Sequence, residues 1–391
     1  MRNVNIQFYN FRTDDGFQKL DSINPYDLVK EFNLKTIIFD VKTNFDLNYI
    51  DSEDCIFIFF SHSILDVSRC LSKYDYFTHI KTNLISGITK KVILFCEDMD
   101  WCRDSSQSIE TENNFYDFFG DNLDKIKITL ANRNWCFNWN KLNITYNLGC
   151  LPYVLKLNLK ESTKFDLNKI DRNKKLFTVN NEPRGVRLYF YKHLIDNNLL
   201  GDFDCSFFFK HQHREFITWD NVEGGGDTLP PLFDVFPVRT FDNENNHDYY
   251  KKIKIINFAK VTNSYIDVVL ETSIFDREFF SFSEKSFKSI IAKKPFMIYG
   301  SHRNYKGLKE LGFKTYDDLI DVDIFEDGFK EWQVKERMYY FFDSVSKLSE
   351  NDIEFFKQYY IKHKEIIDFN YNHLVQLLDK EYENFYQLLV S

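Results

Sequence analysis

Two arginines near the middle of the chain, Arg184 and Arg187, have the type and spacing needed to bind a phosphate group. A predicted strand, Leu176–Asn180, precedes them, and a helix is predicted from about Val186 to Asn197. Positive side chains in the first turn of a helix oppose the helix dipole unless an anion is bound there. Arginine also suits the two-point hydrogen bonding of a diphosphate better than lysine does. We therefore predict that at least one of the two arginines contacts phosphate; the alternative for each is a surface ion pair.

A second group, Glu284 and Lys285, opens a predicted helix that follows a strand ending at Glu271. A further predicted strand, Pro295–Tyr299, completes a β-α-β unit, and Ser283 is a candidate cap for the helix. In open α/β sheets, ligands lie outside the carboxyl ends of the strands, where helix N-termini present N–H groups to phosphate. The spacing of Glu284 and Lys285 is therefore suited to a nucleotide diphosphate. The alternative is a helix cap or a surface charge at each position.

The first part of the chain offers carboxylates that could remove a proton. The predicted buried strand Lys91–Cys96 ends directly before Glu97, and Asp98 and Asp100 follow. A carboxylate at the end of a strand can act as general base for an attacking hydroxyl group. Glu97 is therefore the first candidate for the base and Asp100 the second; the alternative is an acidic turn with no catalytic role.

The elements that position these residues alternate between strands and helices. The predicted strands Asp54–Ser61 and Lys91–Cys96 are almost continuously apolar, which is typical of a parallel sheet covered on both faces. Alternation with helical stretches predicts an α/β fold. A chain of 391 residues exceeds what one core usually fills, so we expect two domains. Near the end, Ser349 and Asp352 fall in a sequence resembling a capping box, which predicts a new helix.

Composition narrows the function classes. The chain has 50 basic and 59 acidic residues and a net charge of −9, which disfavours tight electrostatic binding of nucleic acid but leaves a local basic groove open. Its seven cysteines form no Cys-x-x-Cys pair, which indicates reduced thiols in a cytoplasmic protein. No signal peptide or membrane-spanning stretch is recognisable, so we expect a soluble protein with no membrane insertion.

The pattern Asp-x-Asp, which holds a metal in some sugar-transferring enzymes, occurs here three times. It is found at 98–100, 202–204 and 321–323, so chance is enough to explain it. His211 and His213 lack a third ligand nearby in the sequence. We expect no metal requirement and no cofactor.

A longer pattern resembles a known family. The pattern begins with Glu271-Thr272-Ser273 and continues, after residues 274–283, with Glu284-Lys285. It ends with Lys294-Pro295-Phe296, which is followed by a strand and Gly300. This pattern is similar to the donor-site signature of fucosyltransferase-like glycosyltransferases of the GT-B type. That family usually has Glu-Asn-Ser, Thr-Glu-Lys and a glycine before the Lys-Pro, where this chain has Glu-Thr-Ser, Ser-Glu-Lys and a lysine.

The segment around the two arginines strengthens this resemblance. Asn181-Glu182-Pro183-Arg184-Gly185-Val186-Arg187 resembles the opening of the donor domain in phage and bacterial glycosyltransferases, with its first half altered by Asn181 and Glu182. Together, the matching residues cover about 170–345 of the chain.

The resemblance implies a GT-B fold, in which two Rossmann-like domains face a cleft and C-terminal helices pack across the junction. The expected boundaries are 1–165 for an acceptor-binding domain, 172–345 for a nucleotide-sugar-binding domain and 349–391 for a C-terminal helical segment. The polar run from 159 to 175 is the expected linker.

The resemblance also implies an activity: transfer of a sugar from a GDP- or UDP-linked donor to an acceptor hydroxyl, with inversion. Glu284 would bind ribose or sugar hydroxyls of the donor, Lys285 would bind its diphosphate, and GDP is the first choice of nucleotide. Glu271 and Ser273 would line the sugar side of the donor pocket. The chain is rich in Phe, Ile, Asn and Lys, a bias typical of AT-rich coding sequences such as those of many phages and some bacteria. This leaves two acceptors open, hydroxymethylated phage DNA and a surface glycan, and the location would be the host cytoplasm if the protein is phage-encoded. The alternative is a non-catalytic nucleotide- or glycan-binding module of the same fold. The oligomeric state is left open.

Overall fold

The structure, a computed structural model, divides into two compact units, Met1–Tyr153 with Leu378–Ser391, and Val154–Leu377. The residues that the structure describes are 5–11, 55–61, 64–73, 75–87, 89–96, 105–130, 133–134, 141–142, 144–146, 151–180, 185–207, 258–271, 279–280, 282–329 and 333–390.

The first unit contains a parallel sheet. Its elements are β1 (Asn5–Phe11), β2 (Cys55–Ser61), α1 (Ile64–Cys70), α2 (Asp75–Ser86), β3 (Thr89–Cys96), α3 (Ser105–Phe119), a 3-10 turn (Gly120–Lys125), β4 (Ile126–Leu130), β5 (Arg133–Asn134) and β6 (Ile144–Tyr146). The strand order in the five-stranded sheet is β1-β2-β3-β4-β6, and every neighbouring pair is parallel. The predicted strands at 54–61 and 91–96 are confirmed within one or two residues.

The core of the first unit follows from helical periodicity. Ile80 and Leu84 lie one turn apart on α2 and are fully buried. Phe115 and Phe119 lie one turn apart on α3 and are also buried, and their ring centroids are 6.2 Å apart. These side chains join the apolar residues of β3 and β4 in one cluster. Residues four apart share a helix face, so this spacing places the apolar stripe of each helix against the sheet.

The elements from residue 151 onward are α4 (Leu151–Ser162), β7 (Lys174–Asn180), α5 (Gly185–Asp196), a 3-10 turn (Leu199–Gly201), β8 (Phe203–Phe207), α6 (Phe258–Val261), β9 (Ser264–Leu270), β10 (Phe279–Phe280), α7 (Glu284–Ile291), β11 (Phe296–Tyr299), α8 (Asn304–Glu310), α9 (Val322–Asp327), α10 (Val334–Ser349), α11 (Ile353–Lys362) and α12 (Lys364–Val390). The predicted linker at 159–175 therefore overlaps the end of α4 and the start of β7.

The sheet of the second unit is parallel and Rossmann-like, with the strand order β11-β9-β7-β8. All seven residues of β9 and all four of β11 are buried, as expected for strands covered on both faces. From β7 the chain first moves to one side, to β8, and then returns to the other side of β7, to β9. This change of direction places a topological switch point between β7 and β9.

The C-terminal helices correct one prediction. The capping box expected to open at Ser349 is wrong, because Ser349 is the last residue of α10. The cap of α11 is Asp352, whose side chain accepts a hydrogen bond from the backbone N–H of Phe355 at 2.8 Å. Phe356 and Tyr360 lie four residues apart on the buried face of α11, whereas Ile353 is exposed.

Candidate functional site

The carboxyl ends of β7 and β9 meet on either side of the switch point. Phe177 of β7 pairs with Asp267 of β9 in parallel register. Asn180 and Leu270 each lie three residues further along their strands, so they lie opposite each other at the ends of β7 and β9. Ligands of open α/β sheets bind outside strand ends at such a point. We call this region the switch edge: Asn180, Arg187, Leu270–Glu271 and Ser283–Lys285.

Arg187 places a buried cation at the switch edge. It lies in the first turn of α5, is 2 % exposed, and its Nη2 donates a hydrogen bond to the carbonyl oxygen of Leu270 at 3.3 Å. Arginine does not lose its proton in proteins, so the charge persists despite burial. The geometry therefore fixes a positive charge beside the last residue of β9.

Glu271 directly follows β9 and is 3 % exposed. Its backbone N–H donates to the carbonyl oxygen of Tyr299 at the end of β11, at 2.8 Å. Its Oε1 accepts from the backbone N–H of Ser283 at 3.1 Å and from Oγ of Ser286 at 2.5 Å, and its Oε2 accepts from Oγ of Ser283 at 2.5 Å. Both carboxylate oxygens of Glu271 therefore accept hydrogen bonds from residues at the start of α7.

Ser283 is the N-cap of α7, which confirms the prediction. Its Oγ accepts a hydrogen bond from the backbone N–H of Lys285 at 3.2 Å, and its extended backbone leads the chain into the helix. Behind this cap, Phe287, Ile290 and Ile291 are buried with the spacing of one helix face. The cap and the apolar face together fix where α7 begins.

Glu284 and Lys285 occupy the first turn of α7 and are about four-fifths buried, with side chains that are 20 % and 22 % exposed. The Nζ of Lys285 lies 3.6 Å from Oε1 of Glu284 and 3.4 Å from Oγ of Ser283. The Nζ of Lys288, one turn further on, lies 3.6 Å from the same glutamate oxygen. Glu284 thus lies between two ammonium groups.

The electrostatics of the switch edge follow from these positions. The start of α7 already carries two carboxylates, those of Glu271 and Glu284, which partly offset the positive end of the helix dipole. The N–H groups of α7 alone therefore provide a weak anion site. An anion bound here would depend on the side-chain cations Arg187 and Lys285.

Gly300 allows the end of β11 to approach Glu271. A Cβ at Gly300 would lie 3.0 Å from Cβ of Glu271 and would collide with the side chain of Asn304. The carbonyl oxygen of Gly300 accepts a hydrogen bond from Nη2 of Arg337 at 2.5 Å. The same guanidinium lies 4.8 Å from the ring centroid of Tyr299.

Two buried polar residues that contact strand ends or lie at them were not singled out from the sequence. Arg337 is 1 % exposed and lies on the apolar face of α10. Its partner, the carbonyl oxygen of Gly300, directly follows β11, and the sequence around Arg337 does not indicate this contact. Asn180 is fully buried at the end of β7, and its Nδ2 donates to Oγ1 of Thr178 at 3.2 Å. The signal that could have found Asn180 is a polar residue directly after an apolar strand.

The predicted site residues divide into two groups. Arg187, Glu271, Glu284 and Lys285 are brought together at or beside the switch edge. Glu97, Asp100, Arg184 and Ser273 lie outside the described residues, as do Asp98, His211 and His213.

The Asp-x-Asp patterns at 202–204 and 321–323 have local structural roles. Asp321 caps α9 by accepting from the backbone N–H of Ile324 at 3.0 Å, and Asp202 forms an ion pair with Lys175 at 2.9 Å. Within the part of the chain that the structure describes, no three His, Cys, Asp or Glu side chains are grouped so that they could hold a metal ion.

Comparisons with protein families, with curated proteins and with solved structures find no match to this chain. Fold and site therefore define the class as an α/β protein with a Rossmann-like parallel sheet and a charged switch edge. None of the helices among the described residues combines the length and apolar character needed to cross a membrane.

Proposed function

We propose that this chain is a nucleotide-sugar-dependent glycosyltransferase of the GT-B type. In this proposal the second unit holds a GDP- or UDP-linked sugar at the switch edge, and the first unit holds the acceptor. The sequence resemblance favours GDP and leaves hydroxymethylated DNA and a surface glycan open as acceptors.

One observation carries the proposal: the buried guanidinium of Arg187 and the start of α7 are linked through two consecutive residues. Arg187 donates to the carbonyl oxygen of Leu270, and the next residue, Glu271, accepts from Ser283 in front of Lys285. A cation from α5 and a cation from α7 therefore flank the same strand end. Cations beside a strand end at a switch point favour the binding of an anionic ligand such as a diphosphate.

The proposed chemistry assigns a role to each group. The acceptor oxygen attacks the anomeric carbon of the sugar, and the bond from that carbon to the diphosphate oxygen breaks. Lys285 contacts the departing diphosphate and stabilises the negative charge that develops on it. Arg187, which is 2 % exposed, adds its positive charge from within the protein rather than by contact. Glu284 accepts hydrogen bonds from ribose or sugar hydroxyls, and Glu97, with Asp100 as the second candidate, takes the proton from the acceptor. The proposed reaction requires no metal.

A titration with a matched control tests the donor site. Lys285 and Lys288 both lie 3.6 Å from Oε1 of Glu284, but only Lys285 is in the first turn of α7. GDP and UDP are titrated by calorimetry into the wild type, Lys285→Ala and Lys288→Ala. We expect Lys285→Ala to weaken the binding of the preferred nucleotide by about tenfold or more, the equivalent of one lost charge-assisted hydrogen bond, and Lys288→Ala to change it less than about threefold.

The possible results separate the candidate functions. If the wild type binds neither nucleotide, the proposed function is wrong. If it binds nucleotide but neither hydrolyses nor transfers the sugar of a GDP- or UDP-sugar, the non-catalytic binding module replaces the enzyme. Equal weakening by both lysine variants would place the nucleotide elsewhere than at the start of α7.

A further inference from the structure

We propose that Glu271 is a positioning residue for the donor site: it holds the first turn of α7 against the end of β9, so that Lys285 faces the diphosphate. This inference rests on the proposed function. It replaces the expectation that Glu271 lines the sugar side of the pocket with a role that acts through Lys285.

Glu271 is anchored in the sheet before its side chain makes any contact. Its backbone N–H donates to Tyr299 at 2.8 Å, which continues the pairing of β9 with β11 by one residue. Gly300 follows Tyr299, and its missing side chain leaves room for Cβ of Glu271. The carboxylate therefore projects from a fixed point of the backbone.

The side chain then binds α7 through three hydrogen bonds. Two of them come from Ser283, through its backbone N–H and its Oγ, and the third comes from Oγ of Ser286. Hydrogen bonds to a charged acceptor are about twice as strong as neutral ones. Three such bonds from residues 283 and 286 fix both the position of the first turn and its rotation about the helix axis.

A chain of two bonds leads from Glu271 to Lys285. Oγ of Ser283 donates to Oε2 of Glu271 and at the same time accepts from the backbone N–H of Lys285. The Nζ of Lys285 also lies 3.4 Å from this oxygen. Losing the bond to Glu271 frees the Ser283 hydroxyl to rotate, and the lysine loses the group that orders its backbone and its ammonium.

Direct contact with a sugar is disfavoured by the same geometry. Glu271 is 3 % exposed, and each of its oxygens already accepts from a serine hydroxyl at 2.5 Å. A residue buried to this extent offers almost no surface to a sugar hydroxyl. Its contribution to the donor therefore passes through α7.

A double-mutant cycle between Glu271 and Lys285 tests the inference. Glu271→Gln keeps an oxygen for the two donors on Oε1 but places an amide N–H opposite Oγ of Ser283. The charge-assisted bond in which Ser283 donates is therefore replaced by a neutral bond of reversed direction, which weakens the link to Lys285. We expect Glu271→Gln to weaken binding of the preferred nucleotide, GDP or UDP, by about tenfold in the wild type and by less than about twofold in a Lys285→Ala background.

Two serines on α7 supply a second test and its control. Ser286 donates to Glu271, whereas Ser289 is equally buried but lies one turn further along α7. Ser286→Ala should weaken nucleotide binding by about threefold, again only when Lys285 is present, and Ser289→Ala should leave it unchanged. If Glu271→Gln does not fold, the cycle between Ser286 and Lys285 gives the answer.

The outcomes distinguish this inference from the proposed function. A wild type that binds neither GDP nor UDP overturns both. A wild type whose binding depends on Lys285 but not on Glu271 or Ser286 keeps the function and overturns the positioning role. Equal weakening by Glu271→Gln in the presence and absence of Lys285 would also overturn it, because that result indicates an independent contact or a general loss of structure.

Discussion

The carboxylate of Glu326 accepts a hydrogen bond from the backbone N–H of Tyr305 at 2.6 Å and thereby holds the start of α8 against α9. Its Oε2 also accepts from the backbone N–H of Lys306 at 3.1 Å. Glu326 is 6 % exposed. Burial raises the pKa of Glu326 to about 7, although the two N–H groups act in the opposite direction.

This pKa predicts a specific pH dependence of stability. Between the usual value of 4.5 and about 7, folded Glu326 retains a proton that the unfolded chain has lost. Its contribution to stability is therefore complete below pH 4.5 and is lost as the pH rises through about 7. Glu326→Gln keeps an acceptor oxygen and removes the titration. We expect the drop in unfolding free energy between about pH 5 and about pH 7.5 to be about 2 kcal/mol smaller in this variant.

Urea unfolding at the two pH values measures that difference. Glu336→Gln, which changes an exposed carboxylate on α10, is the control and should behave as the wild type does. An identical pH dependence in Glu326→Gln and the wild type would contradict the assigned titration.

The buried ion pair of Lys294 with Asp267 supports a second prediction. Nζ of Lys294 also donates to Oγ of Ser264 at 2.7 Å and to the carbonyl oxygen of Val261 at 3.0 Å. Burial lowers the pKa of Lys294 to about 8, against the attraction of Asp267. Lys294→Met leaves the aspartate buried without its cation, and we expect it to cost about 3–5 kcal/mol of unfolding free energy.

A compensating change distinguishes loss of charge balance from loss of packing. In Asp267→Val/Lys294→Met neither charge remains, so most of the stability lost in Lys294→Met should return. Chemical denaturation of both variants measures this. A double variant as unstable as the single one would show that the hydrogen bonds of Lys294, rather than its pairing with Asp267, dominate.

Gly312 supports a third prediction. Its φ of +89° lies in the left-handed region, and a Cβ there would lie 2.7 Å from Nε2 of His373, which is itself 2.6 Å from the carbonyl oxygen of Leu311. Gly312→Ala combines backbone strain with displacement of that ring, so we expect a loss of at least about 2 kcal/mol. Gly201→Ala, where the new Cβ would meet nothing within 4 Å, is the control.

Thermal and urea unfolding of the two glycine variants checks this expectation. Gly201→Ala should change the unfolding free energy by less than about 0.5 kcal/mol. If Gly312→Ala is as stable as Gly201→Ala, then neither the left-handed backbone nor the contact with His373 constrains this turn.

The start of α7 shows how much of the site the sequence could predict. Ser283 before two charged residues was sufficient to predict the cap of the helix, and the cap is confirmed. Short-range patterns of this kind depend on backbone geometry that neighbouring residues share.

The long-range contacts were not predictable by the same means. Arg337 reaches the carbonyl oxygen of Gly300 from 37 residues away, and Glu326 reaches Tyr305 from 21 residues away. Sequence spacing does not say which distant backbone groups a buried charge will meet. For the same reason, sequence spacing did not indicate that Glu271 accepts hydrogen bonds from serines 12 and 15 residues further on. Its place at the sugar side of the donor pocket, which the resemblance implied, stays a prediction.

The backbone of Lys293 adopts a conformation that is unusual for a residue with a side chain. Its φ of +52° lies in the left-handed region that glycine adopts most easily. Its Nζ lies 3.1 Å from Oδ1 of Asp368 and 4.7 Å from the ring centroid of Tyr371. The side-chain contacts of Lys293 offset the backbone cost.

The most direct test of the central claim is hydrogen exchange measured by mass spectrometry with and without GDP or UDP. The claim is that a nucleotide binds at the switch edge, so we predict slower exchange of amides in residues 185–190 and 282–288 when the preferred nucleotide is present. Residues 353–362 of α11 should be unaffected. Slower exchange confined to other parts of the chain, or no change at saturating GDP and UDP, would contradict the account.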